Sequence, residues 1–283
     1  MEWANGNVSV NHPRAPWDGR GDVATLVHCR LDQLKGTSNQ YRDSATYKAA
    51  YEKAKFNYDM DIAFDIVDRC ISDECLDSIV DTLLGYAREP IYIYPYMPFD
   101  DEDGMGGRVP LDKQPTNALP AAYAQYLSTR LGGSVNETII QSARAGRTKL
   151  NTWLRYLCQP SFEGEIVGNR PYVPVDDVIT TGGTLATLRS YIVSCGGTVA
   201  GTTALAHKNG VHQKFAIAED TFGVLCRTYG QELTSYWTET FGHGPASLTD
   251  AEAQFLALFE WEPGNEPIQR LRERINQAAA KGE

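Results

Sequence analysis

The chain of 283 residues has no run of about 18 uninterrupted apolar residues, so no segment is expected to span a membrane. Positive charge is in short supply. Lys and Arg number 26 against 36 Asp and Glu, a formal net charge of −10 with His counted neutral. A dedicated nucleic-acid binder carries a basic footprint, and this balance argues against one. The six cysteines, Cys29, Cys70, Cys75, Cys158, Cys195 and Cys226, include no C-x-x-C pair for zinc or redox chemistry. A chain of this length needs no disulfide staples, so reduced thiols and a cytoplasmic location are expected. The opening MEWANGNVSVNHPRAPWDGRG lacks a basic segment followed by an apolar one, so no secretory signal is expected. The nucleotide, hydrolase and zinc signatures G-x-x-x-x-G-K-[ST], G-x-S-x-G and H-E-x-x-H are missing too. His207 and His212 stand five apart without partner ligands, which gives no metal site.

What is present is an ordinary globular composition, 42% hydrophobic and 22% charged, enough for one large domain or two small ones. Three zones divide it. Residues 1–88 read as an irregular arm followed by a helical extension. In that zone Val23, Leu26, Val27, Cys29, Leu31 and Leu34 recur at near-helical spacing. A second helical run covers Ala45 to Cys70, and Ser72 is placed to N-cap a third helix that stops at Gly85. Tyr41, Tyr47, Tyr51 and Tyr58 on these helices are read as packing residues.

In residues 89–230 the rhythm changes to strands alternating with helices. Ile91–Tyr94, Val135–Ile140, Pro171–Ile179, Thr198–Ala206 and Phe222–Cys226 read as strands. Ala118–Leu131 and Leu185–Cys195 read as helices closed by glycine pairs. Such alternation implies βαβ units, hence an α/β fold with a mostly parallel central sheet and helices on both faces. Residues 231–283 read as a C-terminal helical extension, with Thr249-Asp250-Ala251-Glu252 as a capping box and a last helix over about 266–280.

The stretch that carries chemistry is Val173-Pro174-Val175-Asp176-Asp177-Val178-Ile179-Thr180-Thr181-Gly182-Gly183-Thr184-Leu185. A buried strand ends in two carboxylates, a Thr/Gly loop follows, and a helix begins. Ligands of open parallel sheets bind at the carboxyl ends of strands. Glycines let the backbone approach an anion, and a helix N-terminus offers N–H groups and a positive dipole end, which suits a phosphate. The two acids then need sugar hydroxyls or a bound magnesium ion as partners.

This segment resembles the phosphoribosyl pyrophosphate (PRPP) motif of the type I phosphoribosyltransferases. The resemblance implies that Asp176 and Asp177 hold the ribose hydroxyls, that Thr180, Thr181, Gly182, Gly183 and Thr184 hold the 5-phosphate, and that Mg2+ bridges pyrophosphate and ribose. Over about residues 91–207 the order is similar to the competence-protein-F-like branch. Its landmarks here are Tyr94-Pro95-Tyr96-Met97-Pro98, Asn117 before a helix ending Arg130-Leu131-Gly132, a basic segment, and Phe162. The family's pyrophosphate loop falls on a segment that starts with Asp100, Asp101, Glu102 and Asp103. Those acids are either a solvated tip or a magnesium or cationic-substrate site. Gly104 to Arg108, with Gly106, Gly107 and Arg108, is the better anion cradle. Arg144, Arg147 and Lys149 fall where the family has a mobile lid, and His207 and Lys208 where it has a third substrate loop. Enzymes of the family that use 6-oxopurines place an Asp at the position of Thr180, which disfavours that substrate class.

The resemblance therefore implies transfer of a phosphoribosyl group from Mg–PRPP to an unidentified nitrogen nucleophile, with loss of pyrophosphate, in a homo-oligomer. Two alternatives stay open. One is a PRPP- or nucleotide-sensing regulator whose helical extensions contact a protein partner. The other is an effector of a bacterial toxin–antitoxin or anti-phage system.

Overall fold

The computed structural model describes residues 13–17, 22–97, 116–141, 152–157, 159–259 and 266–281. Asp100–Asp103, Gly106, Gly107, Arg108, Arg144, Arg147 and Lys149 lie outside the described residues.

The chain runs β1 (Ala24–Arg30), α1 (Leu31–Leu34), α2 (Ser44–Phe56), α3 (Met60–Cys70), α4 (Asp73–Leu83), β2 (Ile91–Ile93) and α5 (Leu119–Leu131). It continues with β3 (Ser134–Asn136), β4 (Ile140–Gln141), α6 (Thr152–Leu157), β5 (Phe162–Glu163), β6 (Pro171–Val178), α7 (Gly183–Ser194), β7 (Thr198–Val199), β8 (Thr202–His207) and β9 (Gln213–Lys214). Helices α8 (Glu219–Tyr229), α9 (Glu232–Phe241), α10 (Asp250–Ala257) and α11 (Pro267–Lys281) close it. The main sheet has the order β3-β2-β6-β8-β1-β9, with β7 on the first residues of β6. Its pairs are parallel except β1 with β9. Residues 198–206, read as one strand, are β7 and β8, interrupted at Ala200-Gly201.

Helices cover both faces. Ile91 and Ile93 of β2 pack with Leu188, Tyr191 and Ile192 of α7, while Tyr92 between them packs with α5 residues such as Leu119 and Tyr123. This is the mixed α/β fold with a mostly parallel sheet that the alternation implied.

Val135–Ile140, read as one strand, falls on the end of β3 and the start of β4, with residues 137–139 in neither, and two further segments differ in type from the sequence expectation. Residues 24–30, read as helix, form β1, which sits between β8 and β9. Inner parallel strands are covered on both faces and lose the polar/apolar alternation, so their apolar positions can mimic helical spacing. The 1–88 zone is thus not only an extension, since it supplies a strand to the sheet. Phe222–Cys226, read as strand, lies inside α8. A five-residue apolar run cannot distinguish the two. The acids Glu219 and Asp220 in its first turn and Arg227 in its last are the helix signals that the reading passed over.

Local caps work as the sequence suggests. Asp59 and Ser72 accept hydrogen bonds from Ile62 N and Cys75 N at the starts of α3 and α4. Asp43 does the same for α2, so residues 45–70 divide into two helices rather than one.

Between β1, α5 and β8 runs a buried polar chain. Ser72 N donates to His28 Nδ1 (3.1 Å), so the ring proton sits on Nε2 and is directed to Tyr123 Oη (2.7 Å). Tyr123 in turn donates to Thr203 Oγ1 (2.6 Å), which donates to Leu26 O (3.0 Å). Burial pushes His28 down to about 4, so the ring stays neutral. Removing Tyr123 Oη orphans a donor and an acceptor at once. Tyr123→Phe is expected to cost about 1–3 kcal/mol in a urea titration, with an unchanged slope. A stability equal to wild type would show that the chain is not holding the sheet to α5.

Candidate functional site

Strand β6 carries Val173, Pro174 and Val175 into the core, and its last three residues are Asp176, which is partly open, Asp177, which is 4% exposed, and Val178. Ile179 N then bonds Ala206 O (3.0 Å), tying the exit of β6 to β8. The turn that follows places Gly182 at φ +77°, ψ 0°, as the N-cap of α7. Only glycine takes that left-handed conformation without strain, and a Cβ there would lie 3.3 Å from Phe215 and 3.4 Å from Thr249. Gly182 also has no side chain to accept from the first turn of α7, in contrast to Asp59, Ser72 and Thr249 at other helices.

A cleft of about 410 Å3 opens at this point. Asp176, Asp177 and Thr180–Leu185 form its floor. Of the expected site residues, the structure therefore brings Asp176, Asp177, Thr180, Thr181, Gly182, Gly183 and Thr184 together in one cavity. Asn117 joins them, with a side-chain hydrogen bond to Asp177. His207 and Lys208 sit at and just past the end of β8 and are not among the residues lining the cleft.

Two contributors were not legible in the sequence. Lys55, from α2, forms an ion pair with Asp177, its side chain only 14% exposed. Arg155, from α6, donates to Thr180 Oγ1 (2.8 Å) at the other end of the floor. Tyr51 and Tyr58 pack on the core, as read, and also line the cleft, where they join Tyr94 and Tyr96 of the Tyr94–Pro98 landmark. Tyr94 and Tyr96 meet edge to face with ring centres 5.7 Å apart. No spacing rule reaches Lys55, because Lys55 and Asp177 are 122 positions apart.

The position of Lys55 is built by backbone bonds between α2 and the start of α5. Ala118 N donates to Ala54 O (2.9 Å) and Tyr58 N to Thr116 O (2.9 Å). The loop is held from the other side. Thr249 Oγ1 donates to Thr181 O (2.5 Å), while Thr249 and Glu252 complete the capping box of α10. Glu252 is paired in turn with buried Arg14 (Arg14 Nη2 to Oε1, 2.9 Å).

The acid pair is electrostatically unequal. Burial would raise both carboxyls. For Asp177 the Lys55 ammonium and the hydrogen bonds from Lys55 and Asn117 outweigh burial and hold it below its ordinary value. For Asp176, burial and the adjacent Asp177 carboxylate win, pushing it up to about 8. The site thus has one carboxylate kept ionised and one carboxyl poised to keep its proton, two different hydrogen-bonding partners side by side.

The comparisons with known proteins are as follows. No family model matches the chain. Over 271 residues it is 31% identical to the protein TraN of Escherichia coli, covering 95% of this chain and 52% of TraN. Over 77 residues it is 36% identical to an uncharacterized protein of Haemophilus influenzae, covering 27% of this chain and 17% of that protein. The chain therefore spans about half the length of TraN and a smaller part of the second relative. An adenine phosphoribosyltransferase from Thermoanaerobacter pseudethanolicus has 17% sequence identity, over 53% of this chain and 74% of that one. Its TM-score of 0.32 is too low to define a shared fold. Among the described residues no helix is long and apolar enough to cross a membrane.

The unequal pair has a consequence for stability. A raised carboxyl keeps its proton in the folded state after the unfolded chain has lost it. Its contribution is present below the ordinary carboxylate value and is lost as pH rises towards about 8. Asp176→Asn cannot ionise. Its melting temperature is expected to fall less than that of wild type between about pH 4 and about pH 8, with a gain of roughly 2–4 °C at the upper end for each kcal/mol relieved. Parallel melting curves for the two proteins would refute the inequality.

Proposed function

We propose that the chain binds Mg–PRPP in this cleft and transfers the phosphoribosyl group to a nitrogen nucleophile, releasing pyrophosphate. The observation that carries this reading is a single cavity holding the β6 acid pair and the Thr/Gly turn at the N-terminus of α7. In it, backbone N–H groups and hydroxyls of Thr180–Thr184 hold the 5-phosphate at the positive end of the helix. Asp177, kept ionised by Lys55, accepts a ribose hydroxyl, and Asp176 takes the neighbouring one.

Among the described residues no three His, Cys, Asp or Glu gather closely enough to hold a metal by themselves. With Asp177 paired to Lys55, the carboxyl that fits magnesium is Asp176, which would give up its proton on binding the ion, the remaining positions being filled by phosphate oxygens and water. When bound, the ion would neutralise diphosphate charge. The chain's own part is positioning and electrostatics. The C1–O bond breaks with its electron pair leaving on the diphosphate, and the nitrogen lone pair closes the new C1–N bond. Arg155 beside Thr180 adds positive charge at the phosphate end. The tyrosine wall offers apolar ring surface and hydroxyls to an acceptor that stays unidentified.

Titration calorimetry with magnesium and PRPP, following pyrophosphate in the same samples, tests this. Wild type is expected to bind, and candidate amines or bases to trigger release. Binding without release under any acceptor would turn the reading to a sensor on the same site. Asp177→Asn should weaken PRPP binding by about 10- to 100-fold while the protein still melts cooperatively. Unchanged affinity in that folded variant would remove Asp177 from the site.

A further inference from the structure

On a chain of net charge −10, the described lining of the cleft holds three cations, Lys35, Lys55 and Arg155, against two carboxyl groups. Arg155 is at the phosphate-loop end, on Thr180. Lys55 is at the acid-pair end, on Asp177. An ammonium has three N–H donors, and the Asp177 bond engages one of them. A lysine whose sole task was to neutralise Asp177 would need no access to the cavity, yet Lys55 lines it. It is also fixed there rather than trailing from a surface helix, because the Ala118–Ala54 and Tyr58–Thr116 backbone bonds clamp the end of α2 to the segment that carries Asn117.

We propose, building on the PRPP reading above, that Lys55 is a specificity-determining residue. With one N–H on Asp177 it directs the others to a second anionic group, a diphosphate on the anomeric carbon. The cleft thereby selects a sugar that is anionic at both ends over its monophosphate. In this arrangement Asp177 aims the ammonium and the ammonium keeps Asp177 ionised, so the ribose and diphosphate contacts reinforce one another. Loss of Lys55 would weaken the ribose contact that both ligands share and, in addition, the diphosphate contact that only one of them makes.

Affinities of Mg–PRPP and of ribose 5-phosphate for wild type, Lys55→Gln and Lys55→Arg test the proposal. Wild type is expected to prefer PRPP. Lys55→Gln should weaken both ligands through the ribose contact of Asp177 but cost PRPP about 10- to 100-fold more than ribose 5-phosphate, the excess expected for a charge-assisted contact. Lys55→Arg should recover part of the preference, since it keeps the charge. Ribose 5-phosphate binding doubles as the check that the variants retain a folded cleft. Equal losses for both ligands would make Lys55 a structural partner of Asp177 and overturn the proposal while leaving the PRPP reading in place. Failure of wild type to bind either ligand would overturn that reading and this proposal with it.

Discussion

The loop between β6 and α7 keeps its shape because parts of the chain far away in sequence grip it. Thr181 O accepts from Thr249, 68 positions away, and Thr249 is fixed by its reciprocal capping bonds with Glu252. Glu252 is in turn neutralised by Arg14, 238 positions earlier. Helix α7 is pinned a second time by Arg189, buried against Asp22 (Nε to Oδ1, 2.9 Å) with its guanidinium 5.1 Å from the Trp17 ring. Buried ion pairs add little net stability over apolar replacements, but losing one partner strands a charge and costs about 3–5 kcal/mol. Their effect here is to permit one arrangement of arm, loop and C-terminal helices and to penalise others.

That grip explains why the C-terminal zone is more than an appendage. Trp237, Leu256, Leu271 and Ile275 form an apolar cluster with Tyr156 and Leu157 of α6. Helix α6 is the one that brings Arg155 to Thr180. Tyr156 Oη also donates to Glu252 O (2.8 Å). The same helices thus hold the loop from beneath through Thr249 and bring a cation to it through Arg155. A phosphate arriving there would meet groups already ordered by packing, so little conformational entropy is left to lose on binding.

What could be read from the sequence is what is local. The acid pair, the Thr/Gly turn and the start of α7 occupy consecutive residues, and their order alone sets strand, turn and helix N-terminus. Ser72 and Thr249 announced their caps within four residues. The illegible parts are those decided by tertiary partners. Strand β1 has no alternation because both its faces are covered, so its periodicity carried no reliable sign. Lys55 sits in a run, Lys53-Ala54-Lys55-Phe56, that reads like any solvated helix end, and the backbone bonds from the end of α2 to Thr116 and Ala118 are what hold that ammonium inward. Arg155 lies in a segment whose basic character was visible but whose contact was not.

The two ends of the cleft are therefore supported in different ways. The loop end rests on buried arginines, a capping box and glycine geometry, a rigid frame with one shape. The acid end rests on Lys55, held by its bond to Asp177 and by the clamped end of α2, with ammonium donors beyond the one that Asp177 takes. Rigidity at one end suits a group whose geometry never varies, such as a terminal phosphate. At the other end the clamped ammonium and the carboxylate it pairs with set the charge that a second anionic group would meet. The unequal acids sharpen this division. Asp177 is committed to its charge by Lys55, whereas burial and the neighbouring Asp177 charge hold Asp176 in its protonated form.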